Sequence, residues 1–189
     1  MHQTTAILMA ATLLATACGG SPAGPSAGTG TLNLRLTDSP FSDARAVLVT
    51  FSEVTAHRAE SDWTSVPFAA AAASRTCDLK KLETAQDVLG TGPLPAGRYT
   101  QVRLVVASAT IYFDTASTGP ACAPAIAAPA GRSASVEIPS GEVKLNRGFE
   151  LAADGATTML LDFDGDRSIR VTGNGRYMMT PVIAIVSVQ

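Results

Sequence analysis

An all-β fold, an antiparallel Greek-key-like β-sandwich of about eight or nine short strands with a short helix or long loops between them, is what this chain predicts. Three observations carry the expectation. Apolar and polar residues alternate with period two in segment after segment beyond residue 30; Gly, Pro and Asp turns separate the segments; and no long helical pattern recurs between them. The 189 residues suffice for one domain with a core. With six Phe, three Tyr and one Trp, that core has to be built mainly from Val, Leu, Ile and Ala, of which the β-branched members favour strands.

In chain order, Thr31–Thr37 alternates with Leu32, Leu34 and Leu36 on one face, and Asp38-Ser39-Pro40 stops it. Residues 46–51 form a second strand, Val47, Val49 and Phe51 facing one way; Val54 and Ala56 then fall on the other parity, which predicts a bulge near Ser52-Glu53. A turn at 60–62 leads to a short strand from Trp63 to Phe68. An alanine run at 69–73 fits helix or loop. From Cys77 to Gly90, Leu79, Leu82 and Gln86 or Leu89 fall at helical spacing, predicting a short helix that ends before a turn at Gly90-Thr91-Gly92-Pro93. The turn Leu94-Pro95-Ala96-Gly97 feeds a long strand, 98–106, continued or repeated at 109–114. Residues 115–132, rich in Ala, Pro and Gly, read as a loop of the kind tolerated as an insertion. Further strands follow at 133–138, 142–146, 149–151, 157–163, around Ile169 and Val171, and at 182–188, with a hairpin-like turn at Asp164-Gly165-Asp166.

The amino terminus has a different character. Residues 7–17 form an apolar run that stops short of the roughly 20 residues needed to cross a bilayer, which predicts a signal peptide over 1–17. The small residues before Cys18 resemble a bacterial lipobox. That resemblance implies that Cys18 becomes the lipid-modified first residue of the mature protein, that residues 18–30 are a flexible tether, and that residues 31–189 are a single sandwich domain. Gly19 carries the further expectation of sorting to the outer membrane, so the predicted location is exported, facing the periplasm or cell surface, with the membrane as partner through the lipid anchor. In an exported chain the remaining pair, Cys77 and Cys122, is expected to form a disulfide.

Charge is nearly balanced, 14 Lys+Arg against 16 Asp+Glu, without a basic cluster, which argues against nucleic acid as a partner. The most suggestive chemical cluster is Asp162, Asp164 and Asp166, whose alternate carboxylates are candidate calcium ligands; a plain solvated hairpin is the other reading. The EF-hand pattern is absent, because its sixth and twelfth positions hold Arg167 and Gly173. Acid–base pairs such as Asp162 with Glu142, or Asp38 with Asp43, are conceivable, although the sequence alone brings neither pair together. There is no GxSxG, and His57 is the one imidazole beyond the signal segment. No cofactor is implied beyond that calcium. Trp63, Tyr99, Tyr112 and Tyr177 either line a glycan or peptide surface or pack at sheet edges with their polar ends exposed. The expectation is a non-enzymatic envelope module that binds a protein or a polysaccharide; a calcium-dependent adhesion domain and a carboxylate-based hydrolase are the alternatives.

Several phrases taken together look familiar: Gly30 to Pro40, Trp63, Leu94 to Leu104, Ile138 to Gly141, Leu161 to Asp164 with Ser168-Ile169, and Gly173 to Tyr177 with Pro181-Val182. The series resembles the bacterial lipoprotein family catalogued as domain of unknown function 4382, over residues 30–188. The resemblance implies an exported, lipid-anchored domain and brings no catalytic residues. The Leu-Pro-Ala-Gly-x-Tyr phrase is also similar to the turn-strand element of transthyretin-like and carboxypeptidase-regulatory-like sandwiches, which implies a binding or spacer role.

Overall fold

In the computed structural model, which describes residues 28–39 and 43–189, the alternation of the first strand is met in full. β1 (Thr29–Ser39) buries Leu32, Leu34 and Leu36 completely and turns Asn33, Arg35 and Thr37 outward. Cys18, the signal segment and most of the tether lie outside the described residues. β2 (Ala46–Arg58) slips register around Ser52, so that Val47, Val49 and Phe51 before the slip and Val54 and Ala56 after it all reach the core. That is what a bulge accomplishes when the apolar parity changes partway along a strand.

The remaining elements are β3 (Trp63–Ser65), β4 (Arg75–Asp78), α1 (Leu79–Leu82), β5 (Asp87–Pro95), β6 (Gly97–Tyr112), β7 (Cys122–Ala123), β8 (Ser133–Glu137), β9 (Glu142–Leu145), β10 (Phe149–Leu151), β11 (Ala156–Asp164), α2 (Gly165–Ser168), β12 (Ile169–Val171), β13 (Tyr177–Met179) and β14 (Ile183–Val188). The smaller sheet runs β14-β11-β1-β5. The larger runs β12-β13-β8-β6-β2-β4-β7, with β9 and β10 also on β6 and β3 also on β2. Between them Leu32, Leu34, Leu36, Met159, Leu161 and Phe163 face Val49, Phe51, Leu104 and Ile111 in one core, and Phe51 meets Phe163 edge to face at 6.4 Å. The all-β sandwich stands, with more strands than the sequence predicts and with β1, β2 and β6 longer than predicted. Pairing is not antiparallel throughout, since β1 with β11 and β8 with β13 are parallel. Both parallel pairs join strands remote in sequence, where no tight hairpin forces an antiparallel return.

β6 deserves its central place for a local reason. The Tyr99 ring is fully buried, stacks on Phe149 at 5.1 Å, and its hydroxyl donates to the Pro95 carbonyl at 2.7 Å. The tyrosine thereby fixes the Pro95-Ala96-Gly97 corner through which the chain passes from one sheet to the other, with Gly97 at φ 140°. An exposed hydroxyl at a sheet edge, expected from sequence for Tyr99, is thus corrected.

Two further expectations change. The predicted helix shrinks to the single turn α1, and Gly90-Thr91-Gly92-Pro93 is strand, not turn. The glycines are there for close approach: a Cβ on Gly90 would stand 2.9 Å from the Pro67 carbonyl oxygen and one on Gly92 2.6 Å from the Pro67 ring, while Thr91 N donates to Pro67 O at 2.9 Å. Likewise Asp164-Gly165-Asp166 is not a hairpin. β11 belongs to the smaller sheet and β12 to the larger, and α2 carries the chain across.

The loop over 115–132 is no loose insertion. Cys77 and Cys122 form a disulfide between registered residues of β4 and β7. Around it the Arg75 guanidinium donates to Cys122 O at 3.2 Å, Cys122 N donates to Asp87 Oδ2 at 2.9 Å, and Ser117 Oγ donates to Asp78 Oδ2 at 2.5 Å. Ile126 packs on Ala46, Leu48 and Tyr112, covering one end of the larger sheet's outer face.

Candidate functional site

Beyond the patch covered by Ile126, the outer face of the larger sheet carries polar side chains that strand alternation aligns in rows. Glu53, Thr55 and His57 project from β2; Gln101 and Arg103 from β6; Glu142 and Lys144 from β9; Trp63 from β3. Register sets Trp63 opposite His57 and His57 opposite Gln101, and sets Ser65, Thr55, Arg103 and Lys144 in one cross-strand line.

Arg103 is the hub. Its guanidinium donates to Glu53 Oε1 at 2.8 Å and to Thr55 Oγ1 at 3.2 Å, lies 3.6 Å from a Glu142 oxygen, and sits over the Trp63 ring at 4.7 Å from the centroid. A cation over an indole face in a partly exposed setting contributes about 0.5–1 kcal/mol and orients both groups. The His57 ring lies 5.0 Å from the Trp63 ring and its Nδ1 is hydrogen-bonded to Thr100 Oγ1 at 2.8 Å. Lys144 Nζ lies 2.9 Å from Glu142, and this hydrogen-bonded ammonium, with Arg103 behind it, holds the Glu142 carboxyl below the usual carboxylate range. Gln101 donates to Asn146 at 2.6 Å.

Planar donors and acceptors alternate along this strip, each side chain held by its neighbour. The Arg103 side chain is 24% exposed and those of Glu53 and Glu142 45% and 43%, so the groups are braced yet reachable. A surface of this kind can offer paired hydrogen bonds to an uncharged polyhydroxyl ligand without first ordering itself, which lowers the cost of binding.

The carboxylates singled out from sequence do not converge. Asp162 accepts from Ser39 Oγ at 3.1 Å; Asp164 caps α2, accepting from Arg167 N at 2.9 Å; Asp166 is exposed. Among the described residues no group of three or more His, Cys, Asp or Glu side chains is placed to hold a metal ion. Asp162 and Asp164 serve hydrogen bonding at a crossover. The pair Asp162 and Glu142 is separated too, the one on the smaller sheet and the other on the outer face of the larger. Among the described residues no helix is long and apolar enough to cross a membrane.

Asp38 is the unusual acid. It continues the inward stripe of Leu32, Leu34 and Leu36, is 5% exposed, and among the described residues accepts one hydrogen bond, from Gly165 N at 3.2 Å, its Oδ2 having no partner there. Burial, reinforced by the nearby Glu83 and Asp162 charges against the Gly165 hydrogen bond, pushes its pKa up to about 8.

Of the outer-face strip, sequence reasoning singled out Trp63 as a surface aromatic, Glu142 as an acid–base candidate and His57 as an imidazole, without bringing them together. Period two in Glu53-x-Thr55-x-His57 and in Gln101-x-Arg103 marks these residues as sharing a face, but their convergence depends on the β2–β6–β9 register, which alternation alone does not fix.

A family model described as a domain of unknown function (DUF4382) matches residues 29–181. No curated protein and no solved structure matches the chain.

Proposed function

The chain belongs to the DUF4382 family, and from that premise we propose that it is an exported, lipid-anchored module of the cell envelope that binds polysaccharide and does no chemistry on it. In this reading residues 1–17 direct export, Cys18 carries the lipid, residues 18–30 tether the sandwich, and the outer membrane is the destination, with the domain on its periplasmic or outer side. The likeness of the Leu94 to Tyr99 corner to transthyretin-like and carboxypeptidase-regulatory-like sandwiches belongs to the same proposal, since such domains act as binding or spacer modules.

The observation that carries the choice of polysaccharide is the Arg103 hub, which braces Trp63, Glu53, Thr55 and Glu142 in one plane of donors and acceptors on a solvent-facing sheet. Charge on this strip is locally compensated, Arg103 and Lys144 against Glu53 and Glu142, which suits a neutral polyhydroxyl chain better than a strongly charged ligand.

Two experiments test the reading. Metabolic labelling with a tritiated fatty acid should mark the wild type and not Cys18→Ala, and the label should travel with outer-membrane fractions. Full-length protein in detergent should co-sediment with envelope polysaccharide prepared from the same cells, and Arg103→Ala should weaken that binding about tenfold, about 1.4 kcal/mol. Equal retention of wild type and Arg103→Ala would contradict the assigned face, and turnover of the polysaccharide by purified protein would contradict a non-enzymatic role.

A further inference from the structure

The sandwich manages its strand edges unequally. β7 and β12 are two and three residues long, and β5 carries Pro93 and Pro95 and is bridged at Gly90 to Phe68. β14, at the other end of the smaller sheet, is six residues of Ile-Ala-Ile-Val-Ser-Val with neither charge nor proline. Edges of natural sheets are ordinarily shortened, charged, bulged or covered, because a bare one recruits other strands. β14 has a single irregularity, at Val186, and that valine is 55% exposed.

On its inner side β14 pairs with β11. Asp164 N donates to Val182 O at 2.9 Å, and the antiparallel alternation from that point turns the backbone groups of Ile183 and Ile185 to the open side. Among the described residues no strand pairs with them there. Next to this edge lies a cleft of about 310 Å³ lined by Ile183 and Ile185 from β14 and by Lys144, Leu145, Asn146 and Arg147 from β9 and the residues after it. Lys144 has Glu142 as a partner, whereas among the described residues the Arg147 guanidinium has no carboxylate beside it.

We propose that β14 is a docking edge for an extended acidic segment of a partner protein, which adds a strand beside Ile183–Val188 and places carboxylates against Arg147 and Lys144. Backbone hydrogen bonds to the open side supply affinity that is indifferent to sequence. The cleft supplies selectivity, its isoleucines receiving alternate apolar side chains and its cations receiving acids. A second copy of this chain is disfavoured as the occupant, because a two-fold pairing of β14 with itself brings both sets of Arg147 and Lys144 to one seam and one face. This inference does not rest on the polysaccharide reading, although the cleft shares Lys144 and Asn146 with the strip on the larger sheet.

The test titrates full-length protein in detergent into two fluorescein-labelled eight-residue peptides, one alternating valine with glutamate and one alternating valine with lysine, read by anisotropy. The expected result is binding of the glutamate peptide at least tenfold tighter than of the lysine peptide. The double variant Lys144→Glu, Arg147→Glu, at two exposed positions, should reverse that preference, and Ile185→Pro, which removes an outward N–H, should abolish binding of both. Should Ile185→Pro fail to fold, hydrogen exchange of the wild type supplies the same information: the glutamate peptide should slow exchange at Ile183 and Ile185. No anisotropy change with either peptide, an unreversed preference in the double variant, unchanged exchange at those amides, or a β14-mediated dimer in sedimentation would each overturn the proposal.

Discussion

The two flanks of this sandwich are closed by opposite means. On the β4–β5 side, a disulfide, a half-buried Arg75–Asp87 contact and the Asp78 carboxylate, with its donors Val47 N and Ser117 Oγ, stitch an 18-residue stretch of irregular chain, 115–132, onto the sheets. On the β9–β14 side, apolar residues approach a small cleft, and among the described residues no strand covers the edge of β14. The contrast teaches that irregularity and openness are different properties. The stretch with the least regular structure is among the most constrained, and the exposed site is on a regular strand.

The sharpest way to break the comparison is to remove the stitch. Cys77→Ala with Cys122→Ala, or reduction of the wild type, should cost about 2–4 kcal/mol in urea unfolding, because a bridge across 45 residues of sequence no longer restricts the unfolded chain. Loss of the Asp78 side chain comes next. Asp78→Ala leaves Val47 N and the Ser117 hydroxyl without their acceptor and should cost about 2–3 kcal/mol, and the combination with Ser117→Ala should cost less than the sum of the two.

Asp38 offers a contrast within the buried acids, since among the described residues Asp78 has three hydrogen-bond donors on its carboxylate and Asp38 has one. With its folded pKa at about 8 against an ordinary 3.8, Asp38 holds in the folded state a proton that the unfolded chain releases. Its contribution is therefore fully present below about pH 3.8 and is lost as pH rises through about 8. Asp38→Asn should flatten that part of the stability–pH curve and gain on the order of 1–2 kcal/mol over the wild type at pH 8, measured by chemical denaturation across the range. An unchanged slope would refute the assignment.

The smallest expected effect is on the bare flank. Val186→Lys should change stability by less than about 0.5 kcal/mol while suppressing concentration-dependent aggregation, measured by light scattering. A loss of several kcal/mol would mean that β14 is held as firmly as the stitched side.

Much of this architecture is legible in residue order. Leu32, Leu34 and Leu36, the change of parity after Phe51, and the pairing of Cys77 with Cys122 follow from alternation and from cysteine count. What escapes is whatever depends on a remote partner. Gly90 and Gly92 look like a turn until Pro67 is set against them, Leu79 and Leu82 look like a longer helix until β5 claims Leu89, and Asp164 looks like the start of a hairpin until α2 needs a cap. The candidate site was the least legible part, because Arg103, Glu53 and Glu142 come together only through the registers of three strands.

The most direct measurement of the central claim is a hydrogen-exchange footprint of the full-length protein with and without envelope polysaccharide. The account predicts slowed exchange in β3, in β2 from Glu53 to His57, in β6 from Thr100 to Arg103 and in β9, with the β4–β7 flank unchanged. Protection confined to the disulfide flank, or none at saturating polysaccharide, would contradict it.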